Sequence, residues 1–382
     1  MRTVRDWRNS FGAWLLCFQV HINLGLEDHT SYLSLQAQPP QYTVHEMWKT
    51  HQKLPQYDRL MQAAGDTFPY LPQEYIKEYK SPCWKGPGEE LKCLPYFQIL
   101  GVSKCGTTDL YHRLTFNPDM VDCGWKGPHF WDESTYPITA GRRGKKYDGS
   151  FPAYVSIFDK AALDIQSGRT TKITGEASSN TYTGVLTFCR GAAWPRKLNI
   201  TLAQYIYEAA PWSRFIVLFR DPVDRYYSAY YYYRPRSRGV GTPEEFHQQA
   251  IEDVQAWKNC LERQSERLCL QHYQPQQLVK GLYAAFLPAW LEVWDRSRFL
   301  IMRTEDYKMA QSAHVAAATE FLGMSKMADK VMDEAIRMDK ANVKRYLAML
   351  PQTRQLLQDF YRPYNKRLME AMGGDDRWLW GY

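Results

Sequence analysis

The chain of 382 residues lacks most of the signatures that would place it quickly. None of its eight cysteines forms a CxxC knuckle, and no His/Cys/Asp/Glu cluster has metal-ligand spacing, so a metal centre is not expected. A GxGxxG dinucleotide fingerprint is absent, as are zinc-finger spacing and the RNP-type aromatic signature of RNA-binding domains. No internal repeat and no long low-complexity tract is present. Long apolar runs are missing too. The N-terminal run from Phe11 to Leu26 covers 16 residues and includes Gln19, His21 and Asn23. A membrane-spanning helix needs about 20 mostly apolar residues. Arg2, Arg5 and Arg8 precede that run, so residues 1–30 read as a marginal signal-anchor and a candidate membrane attachment.

Aromatic residues, by contrast, are abundant at 15%, with 27 Tyr and 13 Trp, and offer flat faces with a polar edge for stacking on sugars or bases. Lys and Arg outnumber Asp and Glu by 48 to 41, a net charge of +7 that suits an anionic partner. No nucleic-acid motif supports that class of partner, and an acidic polysaccharide or a nucleotide-like cofactor fits equally well. Cys83/Cys93 and Cys260/Cys269 are two close, loop-closing pairs that suggest disulfides and a secretory compartment. The sequon Asn199-Ile200-Thr201 agrees with that address.

Residues 31–93 read as a stem and pre-domain, ending in the Cys83–Cys93 loop, and residues 94–382 as the main domain. Strand-like runs recur at Tyr96–Leu100, Lys172–Thr174, Arg214–Phe219 and Phe299–Met302, with helical patterns between them. That alternation predicts an α/β fold with a mostly parallel central sheet.

The most informative stretch is Tyr96–Leu114, YFQILGVSKCGTTDLYHRL. A strand enters the loop Gly101–Thr108, which opens into a helix with Leu110, Tyr111 and Leu114 on one face. Glycines that let backbone N–H groups turn inward, a helix N-terminus and the charge of Lys104 together predict an anion cradle built from Lys104, Cys105, Gly106, Thr107 and Thr108. The lysine is misplaced for ATP: the nucleotide-hydrolysing loop carries it after the second glycine, where Thr107 stands here. A purely structural strand-to-helix turn is the alternative for this motif alone.

A second motif follows at Arg214–Tyr230, RFIVLFRDPVDRYYSAY. Arg220 closes a buried strand, Asp221 caps a helix whose first residue is Pro222, and Arg225 and Ser228 lie three apart on that helix. Arg220 and Ser228 can converge as a guanidinium fork and a hydroxyl on a phosphate. Both motifs follow strand C-termini, where open α/β sheets bind ligands.

The ordered pair, Gly-x-x-Lys-x-Gly-Thr-Thr and then Arg-Asp-Pro-x-x-Arg-x-x-Ser-x-Tyr, resembles the sulfotransferases that use 3′-phosphoadenosine 5′-phosphosulfate (PAPS). Lys104–Leu110, Lys126–Trp131, Gly175–Ser178 and Leu350–Tyr361 resemble, in particular, the Golgi N-acetylgalactosamine 4-sulfate 6-O-sulfotransferases. The resemblance runs from about Cys93 to the C-terminus. It implies a P-loop-like three-layer fold, PAPS as donor, no metal, a sulfated glycosaminoglycan acceptor of the chondroitin/dermatan class, and a Golgi membrane or secreted location with a lumenal catalytic domain. It also implies that the first motif holds the 5′-phosphosulfate, with Lys104 catalytic, and that Arg220 and Ser228 hold the 3′-phosphate. Heparan sulfate sulfotransferases share both motifs and the late cysteine pair. The helical Gly281–Leu291 stretch resembles their corresponding segment.

One position departs from the family. Related enzymes carry Lys-Glu-Pro-His after the first helix, the glutamate being the usual base; here Gly127 stands in its place. Glycine takes no proton, so His129 and Glu176 become the candidate bases. A packing histidine, a strand-end carboxylate and a catalytically weak nucleotide- or glycan-binding homologue are the competing readings. Lys340 and Lys344 are either cofactor contacts or ordinary solvated lysines.

Overall fold

The computed structural model describes residues 41–132, 148–168, 170–186, 200–235, 237, 239–339 and 346–382. The signal-anchor expected at residues 1–30, the sequon residue Asn199, and Lys340 and Lys344 lie outside the described residues. Among those described, no helix is long and apolar enough to cross a membrane.

Among the described residues, seven strands form two sheets. The small one is a hairpin, β1 (Cys83–Lys85) against antiparallel β2 (Leu91–Cys93), and a Cys83–Cys93 disulfide closes its register pair. The large one contains β3 (Phe97–Gly101), β4 (Met120–Val121), β5 (Ile173–Glu176), β6 (Arg214–Phe219) and β7 (Phe299–Arg303). They run in the order β4-β5-β3-β6-β7, every pairing parallel. The four expected strands are present within two residues of their predicted ends. β4 was not expected: two residues are too few to show a periodicity.

Strands covered on both faces read as continuous apolar runs, and every residue of β3 and β6 is buried. The chain leaves β3 through the Thr107–Leu114 helix toward β4, then crosses from β5 through the Leu202–Ala209 helix to β6 on the other side of β3. Right-handed crossovers in opposite directions place those two helices on opposite faces of the sheet. The first packs with Gln311–Phe321 and Asp329–Arg337, the second with Tyr283–Leu291, which in turn meets Pro351–Ala371. The result is the three-layer fold. It also puts the direction reversal at β3, so the loops after β3 and β6 share one sheet edge.

Part of the segment read as a stem is folded onto this domain. Thr43 and Glu46 form a reciprocal capping box on the Val44–Thr50 helix, and Val44, Leu60, Phe68 and Tyr75 join the main hydrophobic core. The segment's Pro, Gln and His content masks these single apolar anchors. At the far end, a Cys260–Cys269 disulfide ties the Pro243–Arg263 helix to Glu266–His272.

Candidate active site

The loop after β3 is shaped by two glycines. At Gly101 φ is +142°, and a Cβ there would stand 2.6 Å from the Ser179 carbonyl oxygen, a contact that backbone cannot yield. Gly106 caps the following helix at φ +92°, a left-handed conformation that costs a side-chain-bearing residue about 1–2 kcal/mol. The loop is bound to its neighbours through Val102 N–H to Leu218 O (3.0 Å) and Thr304 Oγ1–H to Cys105 O (2.7 Å). The Thr107–Leu114 helix then begins with N–H donors that have no intrahelical partner.

Within this cradle Lys104 stands at φ +72° with its Nζ 3.6 Å from the ring centroid of Tyr232. Ser103 is buried, and its hydroxyl has no hydrogen-bond partner in the protein. Cys105 turns inward instead. Its Sγ lies 3.8 Å from Tyr283 Oη, burial pushes the thiol up to about 11, and its N–H is engaged by Val102 O at 3.1 Å. Cys105 therefore shapes the loop from behind, while Lys104, Gly106, Thr107 and Thr108 form its front.

The β6 end supplies the second half. Arg220 Nη1 donates to Lys104 O at 3.3 Å, so the two sequence motifs meet. Asp221 caps the Pro222–Tyr233 helix by accepting from Val223 N–H, 2.9 Å, and also accepts from Tyr382 Oη–H. Burial and the nearby Asp224 raise the Asp221 carboxyl to about 6. Ser228 is buried one turn beyond Arg225. Arg225 is wholly buried and donates to Gln277 O, with its Nε and Nη1 unpartnered. An orphan buried hydroxyl in the loop, inward-turned backbone donors and the Arg220 guanidinium make a donor set matched to a dianionic group rather than to a neutral one.

A third segment, 126–132, lies against β5. Ala177 N–H donates to Lys126 O at 2.6 Å, and Lys126 Nζ donates to Ala177 O (3.0 Å) and reaches Thr107 Oγ1 at 3.5 Å. That last contact sets the segment beside the first turn of the loop helix. Burial lowers the Lys126 ammonium to about 8. His129 N–H donates to Ser178 Oγ (2.9 Å), and Ser178 Oγ–H donates to Glu176 Oε2 (2.5 Å). His129 Nδ1 is 3.0 Å from both carboxylate oxygens of Asp132. Glu176 is fully buried, its Oε1 is unpartnered, and burial raises its carboxyl to about 8. The two candidate bases are thus joined through Ser178, with His129 the outer member and Glu176 beneath it. Among the described residues no group of His, Cys, Asp or Glu converges as a set of metal ligands.

A family model described as a sulfotransferase domain matches residues 95–350. The chain belongs to the sulfotransferase family. It is 29% identical to human carbohydrate sulfotransferase 15, across 87% of this chain and 70% of that one. It is 24% identical to the mouse bifunctional heparan sulfate N-deacetylase/N-sulfotransferase 2, across 83% of this chain and 35% of that one. Among solved structures, a sulfotransferase from Alicyclobacillus acidocaldarius superimposes with a TM-score of 0.51 at 24% identity, over 75% of this chain and 98% of that one, and shows the same fold. This sulfotransferase is accordingly an enzyme of group transfer.

Several of its site residues escaped the sequence reading. Asp132 follows His129 by three positions, and the His-x-x-Asp spacing was available as a signal. Tyr232 lies in the run Tyr230–Tyr233, which carries no motif of its own. Lys126 was noticed without a role, because its reach to Thr107 depends on pairing between β5 and a loop that carries no pattern of its own.

Proposed function

We propose that this sulfotransferase moves a sulfuryl group from PAPS to a glycosaminoglycan hydroxyl, the 6-hydroxyl of N-acetylgalactosamine 4-sulfate in chondroitin or dermatan sulfate. The observation that carries the donor half is the meeting of Arg220 with Lys104: a loop suited to a phosphosulfate and a strand end suited to a second phosphate share one sheet edge. The acceptor half is supported by the identity to carbohydrate sulfotransferase 15 and by the positive net charge.

In this reading Lys104, the hydroxyls of Thr107 and Thr108, and the N–H groups of Gly106 to Thr108 hold the phosphosulfate and offset charge that builds on the departing oxygen. Arg220 and Ser228 hold the 3′-phosphate. The acceptor oxygen attacks sulfur in line, and its proton passes to His129. Glu176 serves from below, through Ser178, because a carboxyl raised to about 8 is mostly protonated at neutral pH and accepts no proton there. Two disulfides support a secretory setting, and we place the enzyme in the Golgi lumen, membrane-anchored or secreted.

The deciding assay is transfer of radiolabelled sulfate from PAPS to a panel of chondroitin, dermatan and heparan acceptors. Incorporation into 4-sulfated chondroitin or dermatan is expected. Heparan-only incorporation would move the enzyme to the heparan class. Tight binding of adenosine 3′,5′-bisphosphate with no transfer to any acceptor would make it a binding protein.

A further inference from the structure

The residue at 127 has no side chain, and the space it leaves is used. A Cβ built on Gly127 would lie 3.6 Å from His129 Nε2, 3.2 Å from Ala177 O and 3.6 Å from Ser178 Cα. The imidazole therefore stands over the position from which a longer side chain at 127 would grow. Three separate restraints put it there. His129 adopts φ +57°, a left-handed conformation uncommon outside glycine. That backbone is held by its N–H to Ser178 Oγ, itself tied to Glu176. The ring is held by Asp132, a fully buried carboxylate with both oxygens 3.0 Å from Nδ1. Backbone strain of this kind persists only where the surroundings over-determine it.

We infer that Gly127, His129 and Asp132 form one unit: Asp132 is a positioning residue that keeps the proton on Nδ1, His129 Nε2 is the catalytic base, and Gly127 is the clearance that lets the imidazole occupy the base position. This deepens the functional reading above and rests on it. A carboxylate on Nδ1 fixes the ring tautomer, so the other nitrogen presents a lone pair. In the step itself the acceptor O–H proton goes to His129 Nε2 while the acceptor oxygen forms a bond to sulfur. The bond from sulfur to the 5′-phosphate oxygen breaks, and adenosine 3′,5′-bisphosphate leaves with that electron pair. The imidazolium returns its proton to solvent after release. Titratable groups on neighbouring elements face this unit. Glu176 on β5 interacts with both Asp132 and Lys126, and Lys280 and Tyr273, beyond the second disulfide, interact with Asp132.

The test compares wild type with Asp132→Asn, His129→Ala and the double variant Gly127→Glu/His129→Ala. Asp132→Asn is expected to lower kcat at least tenfold and to release the ring from the single Nδ1-protonated tautomer that the carboxylate selects. Its affinity for adenosine 3′,5′-bisphosphate should stay within about twofold of wild type. The double variant restores a carboxylate on the same spot and should exceed His129→Ala in kcat. Nitrogen-15 spectra of the neutral imidazole give a readout without turnover: in wild type Nε2 should resonate as an unprotonated nitrogen, and in Asp132→Asn the two tautomers should mix. Wild-type kcat in Asp132→Asn, a ring spectrum unchanged by that substitution, or a protonated Nε2 in the wild-type neutral ring overturns this inference while leaving the function standing. A wild-type enzyme that binds the bisphosphate but transfers nothing overturns both.

Discussion

The two sides of the active site are built by opposite means. On the donor side, backbone does most of the work: two glycines, a helix N-terminus and a strand end set the cradle, and Lys104 and Arg220 add charge at its front. On the acceptor side, backbone conformation is borrowed from side chains, because the Lys126–Asp132 segment has no regular structure and is held by Ser178, Glu176 and Asp132. A backbone cradle tolerates little change at its glycines and much elsewhere. A side-chain network is tunable at every member, so the acceptor side is where a base can be exchanged without losing the fold.

Removing Lys104 is the strongest way to test that contrast. Lys104→Ala leaves the glycines and helix donors in place but removes the charge that the proposed function sets against the departing group. By analogy with the loss of one oxyanion donor, kcat should fall about 10²- to 10³-fold. Steady-state sulfate transfer measures this, and a fall below tenfold would show that backbone donors alone suffice.

Arg220→Ala should act on binding more than on chemistry. A hydrogen bond to a charged group contributes about 1.5–3 kcal/mol, which is about 10- to 150-fold in Kd for adenosine 3′,5′-bisphosphate. Isothermal titration reads it directly. An unchanged Kd would separate the two motifs and dissolve the shared cradle.

The donor side was legible in the sequence because its signals are local. Gly101, Gly106 and Lys104 lie within six residues, and Asp221-Pro222 announces a helix start on its own; the structure has the strand-loop-helix turn and the Asp221 cap as read. The acceptor side depends on contacts between segments about 50 residues apart. His129 meets Ser178 across that distance, and nothing in the periodicity of either stretch reports it. Gly127 could be read only as a missing base, since the imidazole that fills the space arrives by an unusual φ at His129. The Val44–Thr50 helix was hidden in the same way, its single buried valine too sparse a pattern to count as core.

Glu176 offers a test by stability. Its carboxyl is raised by burial, so the folded state keeps a proton that the unfolded chain releases. The stability it contributes is full below the unfolded value of 4.5 and is lost progressively as pH rises to about 8. Glu176→Gln keeps an acceptor for Ser178 and removes the titration. The Tm of the variant relative to wild type should rise across pH 5 to 8, as followed by thermal unfolding at several pH values. Lys126 and Lys280, lowered by burial to about 8 and about 7, act over the range from those values to 10.5 and favour stability as pH rises, so the difference measurement separates them. A Tm difference that is flat with pH would place Glu176 in its ionised form and return it to the list of bases.

The smallest effect is expected at Tyr232, where the helix after β6 meets the loop after β3. Its ring holds the Lys104 ammonium at 3.6 Å, yet 44% of Tyr232 is exposed to solvent. Exposed cation–π contacts are worth about 0.5–1 kcal/mol, a factor of about 2 to 5. The ring, not the hydroxyl, makes the contact, so Tyr232→Phe should match wild type while Tyr232→Ala raises the KM for PAPS by that factor with kcat little changed. If Tyr232→Ala instead lowers kcat as far as Lys104→Ala does, the lysine has no orientation of its own. The cradle would then rely on a side chain from the neighbouring helix as heavily as His129 relies on Asp132.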